Sequence, residues 1–557
     1  MRRHPAGGTV HRLAAAGLSS LLAASVPQAG LAQDARIDTV IITVGDPFPA
    51  EQAQSFLPRA MNALHLETKP RVIRRELLLR EGDFHDSTLA AESVRILRAM
   101  QIFKEVEIDS VRLDDGRLAL RVVTRDAWTT SPAIGLGVGA GGTVTYKLGL
   151  SELNLLGTGT LAYASYRKDV DRRAFEAATK LDNLFGSAIN ADTYLQALSD
   201  GFVIRWDVGD PFRATTDPRA IVFGGEYANQ RILQYRATAT TLDTTVYDRD
   251  AFLGIATAAF GISSRPTELL RLGGYLQVRQ ERFVPRVRDS SIVVGDSVSA
   301  ALGVAMTWQR SRYLTLRRFN GLGSEDIDAG LYVSGGIVVA AEPLGYERTG
   351  FGPDITVRGT LPFTGGFATL HAEGHGIFDG NGLDSGAVEV RLTGGYKFAE
   401  RHATVIHVQA GAMEGQTPGA EYDLGFNVPP RSWAPHAFVG NRTVWGALEH
   451  KWYVVDALFG LFGAAIAGFV DYGGAWFKGE DARFGGNVGI GLRMGSALGA
   501  VARTGRIDLG WRFGGGVTGD AGPVLSIGMG WVFGGGRDPT CEPAVYHVRY
   551  RCRPRES

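Results

Sequence analysis

From Thr129 onward the chain alternates apolar and polar positions with a period of two. In the stretch from Arg506 to Phe513, Ile507, Leu509, Trp511 and Phe513 are separated by Arg506, Asp508, Gly510 and Arg512. Val388, Val390 and Leu392 alternate with Glu389, Arg391 and Thr393, and Val488, Ile490, Leu492 and Met494 alternate with Gly489, Gly491 and Arg493. Successive side chains of a strand point to opposite faces, so each segment predicts a strand with one apolar face and one polar or glycine face.

Residues 33–128 read differently. Ile37 to Val44 is β-branched and strand-like. Ala50 to Leu66, Val72 to Arg80 and Ser87 to Met100 carry helical patterns, the last with Ala90, Val94 and Leu97 on one face behind an Asp86 cap. Two further strands, Glu105 to Val111 and Arg117 to Thr124, flank the turn sequence Asp114-Asp115-Gly116. The order predicts a small α+β domain that ends near Trp128.

Alternation alone fits either a soluble sandwich, with its apolar face toward a core, or a membrane barrel, with its apolar face toward lipid and its charges toward a wet lumen. The context favours the barrel. Arg2, Arg3 and Arg12 precede an apolar run from Leu13 to Val26, and Gly30-Leu31-Ala32 offers small residues for cleavage, so residues 1–32 read as a secretory signal peptide. Aromatic residues such as Trp476, Trp511, Trp531 and Phe533 end the alternating segments, as interfacial girdles do. At about 25 residues per strand and connection, the barrel at 129–533 would hold about 16 antiparallel strands. Residues 534–557 form a tail.

Composition sharpens this picture. The 557 residues carry 58 Lys and Arg against 58 Asp and Glu, which disfavours a nucleic-acid partner recognised through phosphate neutralisation. Two cysteines, Cys541 and Cys552, exclude a disulfide-dense scaffold; both lie in the tail, where they could form one disulfide in an oxidising compartment or stay free thiols. The 74 glycines, about twice the usual share, fit turns and a crowded lumen face. Gly137, Gly139, Gly141 and Gly142 open no helix, so they do not read as a dinucleotide loop. His371, Glu373 and His375 share one strand face but read as lumen or loop polar residues, and no metal site is assigned. There is no Gly-x-Ser-x-Gly elbow, HExxH pair or phosphate loop in suitable context.

Several motifs resemble one family. The segment Arg71-Val72-Ile73-Arg74-Arg75-Glu76-Leu77, then Glu81-Gly82-Asp83, the helix from Leu89 to Met100 and Phe103-Lys104-Glu105-Val106 resemble a POTRA domain. Gly149-Leu150-Ser151-Glu152-Leu153-Asn154-Leu155-Leu156-Gly157-Thr158-Gly159 is similar to the barrel-entrance segment of the BamA/TamA superfamily of outer-membrane assembly and translocation proteins. Phe469-Val470-Asp471-Tyr472-Gly473 resembles the FxDxG strand motif of that superfamily. Ser526, Gly528, Trp531 and Phe533 match the last-strand signal of outer-membrane barrels. The resemblance implies a loop folded into the barrel whose Arg-Gly-aromatic tip meets the FxDxG aspartate. Arg431-Ser432-Trp433 is the nearest match, with serine in the glycine position, so the expected pair is Arg431 with Asp471, and Arg442 is the alternative arginine.

The implied function is insertion, assembly or translocation of proteins at the bacterial outer membrane, with the POTRA-like domain in the periplasm. Implied partners are the outer-membrane bilayer and unfolded or extended clients, taken up along the POTRA edge strand and the seam between the first and last barrel strands. No cofactor and no enzymatic reaction are expected. A two-partner secretion translocator, a passive pore or surface antigen, and an outer-membrane lipase are the rival readings.

Overall fold

The computed structural model describes residues 36–529 apart from positions 52, 55, 139–143, 215, 238–241, 266, 287–296, 320–323, 416, 427, 459–461, 497–503 and 515–521. The signal-peptide reading, Trp531, Phe533, Cys541 and Cys552 lie outside the described residues.

The N-terminal module contains β1 (Thr39–Gly45), α1 (Phe56–Leu64), α2 (Pro70–Glu76), α3 (Ser87–Ala99), β2 (Phe103–Arg112) and β3 (Leu118–Asp126). Its sheet has the order β1-β3-β2, with β1 parallel and β2 antiparallel to the central β3. Leu118, Leu120 and Val122 of β3 pack with Val72 and Ile73 of α2 and with Ala90 and Leu97 of α3 to form one core. Asp86 caps α3 by accepting from the Thr88 and Leu89 amides at 2.7 and 3.2 Å. The helix α2 begins earlier than the apolar pattern suggests, because Pro70 supplies a first-turn residue with a preset φ. It also ends earlier: Leu77 is extended, and Leu77 and Leu79 reach the core from extended chain.

Beyond the module the described residues form an antiparallel barrel of 20 strands, not about 16. The shortfall comes from the connections: the first six barrel strands fit into the 81 residues from Thr130 to Asp210, far fewer residues per strand than the length estimate assumed. The longest strand, Leu242–Arg265, has 24 residues. Thr130 follows closely on β3, so the first strand, Thr130–Val138, runs away from the module and every second strand returns toward it. The last strand, Val524–Met529, lies beside the first, and the sheet thereby returns on itself.

The two faces separate as the alternation requires. Val388, Val488, Ile490, Trp511 and Leu525 are exposed on the outside, whereas Arg493, Arg506, Asp508 and Ser526 are buried on the lumen side. An outward apolar belt with an inward charged face is the arrangement of a membrane-spanning barrel. Lumen glycines make room for these side chains. A Cβ at Gly491 would lie 2.0 Å from Asp508 Oδ1, and one at Gly489 would lie 2.4 Å from the Phe469 ring.

Two connections fold inward. On the module side, the hairpin Tyr313–Arg317/Ser324–Asp328 leads into Phe319, whose ring is buried against Phe367 and whose carbonyl accepts from Lys451 Nζ and Tyr453 Oη at 3.3 and 3.0 Å. On the far side, residues 415–441 connect the fifteenth strand, His402–Glu414, to the sixteenth, Arg442–Leu458. Within that loop Tyr422–Leu424 pairs with Phe438–Gly440.

Candidate functional site: an arginine loop inside the barrel

The far-side loop narrows at its small hairpin and projects Arg431 into the wall formed by the last strands. Leu424, Trp433 and Phe438 pack with Trp445 and Ala475 of the wall, so apolar contact sets the depth of the loop before any charge is paired. The Trp433 and Phe438 rings meet edge to face at 5.2 Å and both press on Gly485, where a Cβ would lie 2.5 Å from Trp433. Trp433 Nε1 donates to the Gly486 carbonyl at 2.9 Å, which satisfies the indole where it is buried.

The Arg431 side chain has no exposed surface. Its Nε and Nη2 donate to the two oxygens of Asp471 at 2.7 and 2.8 Å, a bidentate pair, and its backbone amide reaches Asp471 Oδ2 at 3.1 Å. Nη1 donates to Glu449 Oε2 at 3.0 Å and to Asp508 Oδ2 at 3.5 Å. The guanidinium also sits 4.1 Å from the Phe469 ring centre. Around it, Arg493 holds both oxygens of Glu449 at 2.9 and 2.7 Å and also binds Asp508, Arg506 reaches Asp508 at 3.3 Å, and Lys451 lies 4.0 Å from Glu449. Four cations and three carboxylates thus share one desolvated cluster spanning four consecutive strands and the loop. Such a cluster is tolerated only because nearly every charge is paired and hydrogen-bonded.

The serine that follows Arg431 is accommodated by the facing strand. Ser432 lies over Gly510, where a Cβ would come within 2.1 Å of Ser432 Oγ, so the glycine of the facing strand supplies the missing space. The Ser432 amide donates to Asn487 Oδ1 at 3.2 Å, and Asn487 Nδ2 in turn donates to Asp471 at 3.0 Å. Arg442 is not brought to Asp471. It donates to the Met413 carbonyl at 2.6 Å and pairs with Glu414. Among the last-strand residues, Ser526 is buried opposite Asp508, and Gly528 stands opposite Arg506. Glu373 of the His371, Glu373 and His375 row takes Arg391 Nη2 at 3.1 Å.

Sequence reasoning missed the other end of the loop. His436, at φ 58°, stacks on Tyr235 of the seventh strand, Arg219–Ala237, with ring centres 3.7 Å apart. Its Nδ1 lies 2.7 Å from Asp423 of the loop, and its Nε2 lies 3.3 Å from Asp171, which also accepts from Tyr235 Oη. The Tyr235 amide donates to Glu421 at 3.1 Å, and the Phe426 ring lies against Gly137 of the first strand. The loop therefore grips the last strands through Arg431, and the first strand, the seventh strand and the rim turn at Asp171 through Phe426 and His436. The seam between first and last strand lies between those two grips. No sequence motif marks His436; besides Asp423 of the loop, its partners come from a rim turn and a strand more than 200 residues upstream.

The module is fixed to the barrel through the segment Asn154 to Gly159. Asn154 Nδ2 donates to Thr68 Oγ1 at 2.7 Å, and Thr68 donates through its amide and hydroxyl to the buried Asp126 at 2.8 and 2.9 Å. Lys69 donates to the Gly157 carbonyl at 2.9 Å. Gly157 has φ +69°, and a Cβ there would lie 2.2 Å from the Glu67 carbonyl, so the turn has no space for a side chain. Leu153 packs onto the module's core. Farther round the rim, Asn183 donates to Glu76 at 3.0 Å, and burial raises the Glu76 carboxyl above its ordinary value despite that hydrogen bond.

No protein-family model and no curated protein sequence matches the chain. Among solved structures, BamA from Haemophilus ducreyi lacking POTRA domains 1-3 is 12% identical over 88% of this chain and 83% of its own, with a TM-score of 0.39. CdiB from Escherichia coli is 12% identical over 89% and 76% of the two chains, with a TM-score of 0.47. CdiB from Acinetobacter baumannii is 10% identical over 89% and 73%, with a TM-score of 0.42.

Two predictions arise from the site. Asp471→Asn removes the charged half of the bidentate pair while Arg431 stays buried, and should cost about 3–5 kcal/mol in urea unfolding from vesicles. Arg442→Gln, at a partly exposed pair, should cost less than about 1 kcal/mol. The second concerns pH. Burial opposes a charge on His436, but the hydrogen bonds and charges of Asp171 and Asp423 outweigh it and push the imidazole up to about 10. With the folded value above the ordinary 6.5, the stabilisation is fully present below pH 6.5 and is lost as pH rises toward about 10. Proteolysis within 415–441 should accelerate over that window in the native chain and show no such dependence in His436→Gln.

Proposed function

We propose that this protein is an outer-membrane barrel of the BamA/TamA superfamily that assists the insertion, assembly or translocation of other proteins, with its N-terminal module a POTRA-like domain on the periplasmic side. The observation that carries this reading is the inward loop, which engages both flanks of the barrel seam and is anchored by Arg431 on the aspartate of the FxDxG-like segment. A loop that ties the two sides of one seam favours client handling over a passive pore. A barrel that must open at one seam does need a removable constraint across it.

The physical route for a client is strand addition. Both β1 and β2 are edge strands of the module's sheet, and an edge strand offers backbone donors and acceptors to an extended chain. The barrel offers the same chemistry only where its own ladder can part. Clients would add to the module edge, pass to the seam and displace the loop's hold on one flank. The process needs no cofactor and no covalent chemistry.

A two-partner secretion translocator would use the same loop as a gate for a conduit serving one client. Depletion of the protein followed by outer-membrane and secreted proteomics separates the readings. Loss of several barrel proteins is expected for an assembly role, and loss of one large secreted protein alone would move the assignment to the translocator. Unchanged levels of every barrel and secreted protein would refute client handling.

A further inference from the structure

The rim of the barrel next to the module carries apolar side chains that are exposed among the described residues. In α1, Phe56, Ala60 and Leu64 follow one another at four-residue spacing and so share a face. Phe56 is 84% exposed and Leu64 75% exposed. The rotation of α1 is fixed from its opposite side, where Asn62 exchanges hydrogen bonds with the Phe48 backbone at 2.8 and 3.2 Å. The outward turn of the apolar face is therefore built in.

The chain that follows α1 lies directly on a barrel turn. Leu66 is exposed, and three residues later Lys69 donates to Gly157, whose neighbour Leu156 is 62% exposed at φ 56°. The next module-side turn repeats the feature. Phe185, at φ 51° within residues 182–189, is 100% exposed, while its neighbour Asn183 is held against Glu76 of α2. An aromatic side chain held fully exposed on a residue with left-handed backbone is unfavourable in water on both counts.

Both turns continue the barrel's lipid face. Leu148 and Leu150 lead down the outside of the second strand to Leu156, and Phe175 and Leu195 stand on the outer faces of the strands that flank Phe185. Exposed Arg59, Lys69 and Arg71 accompany the α1 region, beside the exposed acids Glu51 and Glu67. Apolar residues continuous with a hydrocarbon belt, next to basic ones, match a bilayer boundary, where ring and alkyl groups enter the acyl region and cations meet headgroup phosphates.

We infer that α1, Leu156 and Phe185 form an apolar collar that embeds in the module-side leaflet of a phospholipid bilayer. The collar seats the module on the membrane surface, so that the module's orientation is set by lipid as well as by the Asn154 to Gly159 contact. The inference rests on the barrel spanning a bilayer. Its occupant is lipid, and a bound client segment or a second copy of the chain are the competing occupants.

The test uses the full chain with Cys541 and Cys552 replaced by serine, in nanodiscs of phosphatidylethanolamine and phosphatidylglycerol. Nitroxide labels are placed singly through Leu64→Cys, Phe185→Cys, Asp115→Cys on the module's distal turn, and Ile490→Cys on the outer barrel wall. Accessibility to oxygen and to a water-soluble nickel chelate is measured at each. The Leu64 and Phe185 labels should show an oxygen-to-nickel ratio several-fold above that at Asp115 and below that at Ile490. Ratios equal to Asp115 would overturn the collar, and so would exclusion of both reagents, which signifies protein cover. If the Ile490 label also reports water, the barrel's membrane assignment fails instead, so the two failures are distinguishable.

Discussion

A guanidinium without water must be answered by carboxylates, and that requirement organises the barrel of this protein. Arg431 enters from a loop, yet its partners Asp471, Glu449 and Asp508 come from three different strands, and Arg493 and Arg506 complete the pairing. Removing any one member strands another in a low-dielectric setting. The loop and the last strands are therefore held in one mutual arrangement, and the loop's far end carries that constraint to Tyr235 and Asp171 across the lumen. Polar pairing of this kind adds little net stability compared with a well-packed apolar core, but it discriminates strongly between arrangements.

The same logic of buried, fully partnered polar groups recurs where the module meets the barrel. Asp126 is buried and answered by Thr68 and His65, and Thr68 is answered by Asn154 of the barrel turn. The module is thus tied to the barrel by directional contacts as well as by the packing of Leu153 into its core. This tie lies close to the first barrel strand, which begins four residues after Asp126.

What the sequence made legible follows from which signals are local. Alternation at Arg506 to Phe513 and at Val488 to Met494 assigns each residue to a face, and the buried Arg506 and Asp508 beside the exposed Trp511 and Ile490 follow that assignment. The helix behind Asp86 was legible because a cap and an apolar stripe are both short-range features. Strand number was not, since it depends on connection length, and the tight turns before Asp210 leave no signal that separates nine-residue strands from longer ones. Arg431 and Asp471 were suggested by their resemblance to a family pattern, and the structure sets them in contact; their role in handling clients is the reading proposed above. The remainder of the cluster was hidden because register between strands, not sequence spacing, brings Glu449, Arg493 and Asp508 together. His436 was hidden for the same reason, with its partners Asp171 and Tyr235 on the opposite wall.

The central claim is that the loop joins the two flanks of the seam. Hydrogen exchange of the full chain in nanodiscs, comparing the native protein with an Asp171→Asn/His436→Gln variant, tests this most directly. Faster exchange in residues 415–441 together with the first strand, Thr130–Val138, and the last, Val524–Met529, is the predicted result. Faster exchange confined to the loop, with both seam strands unchanged, would contradict it.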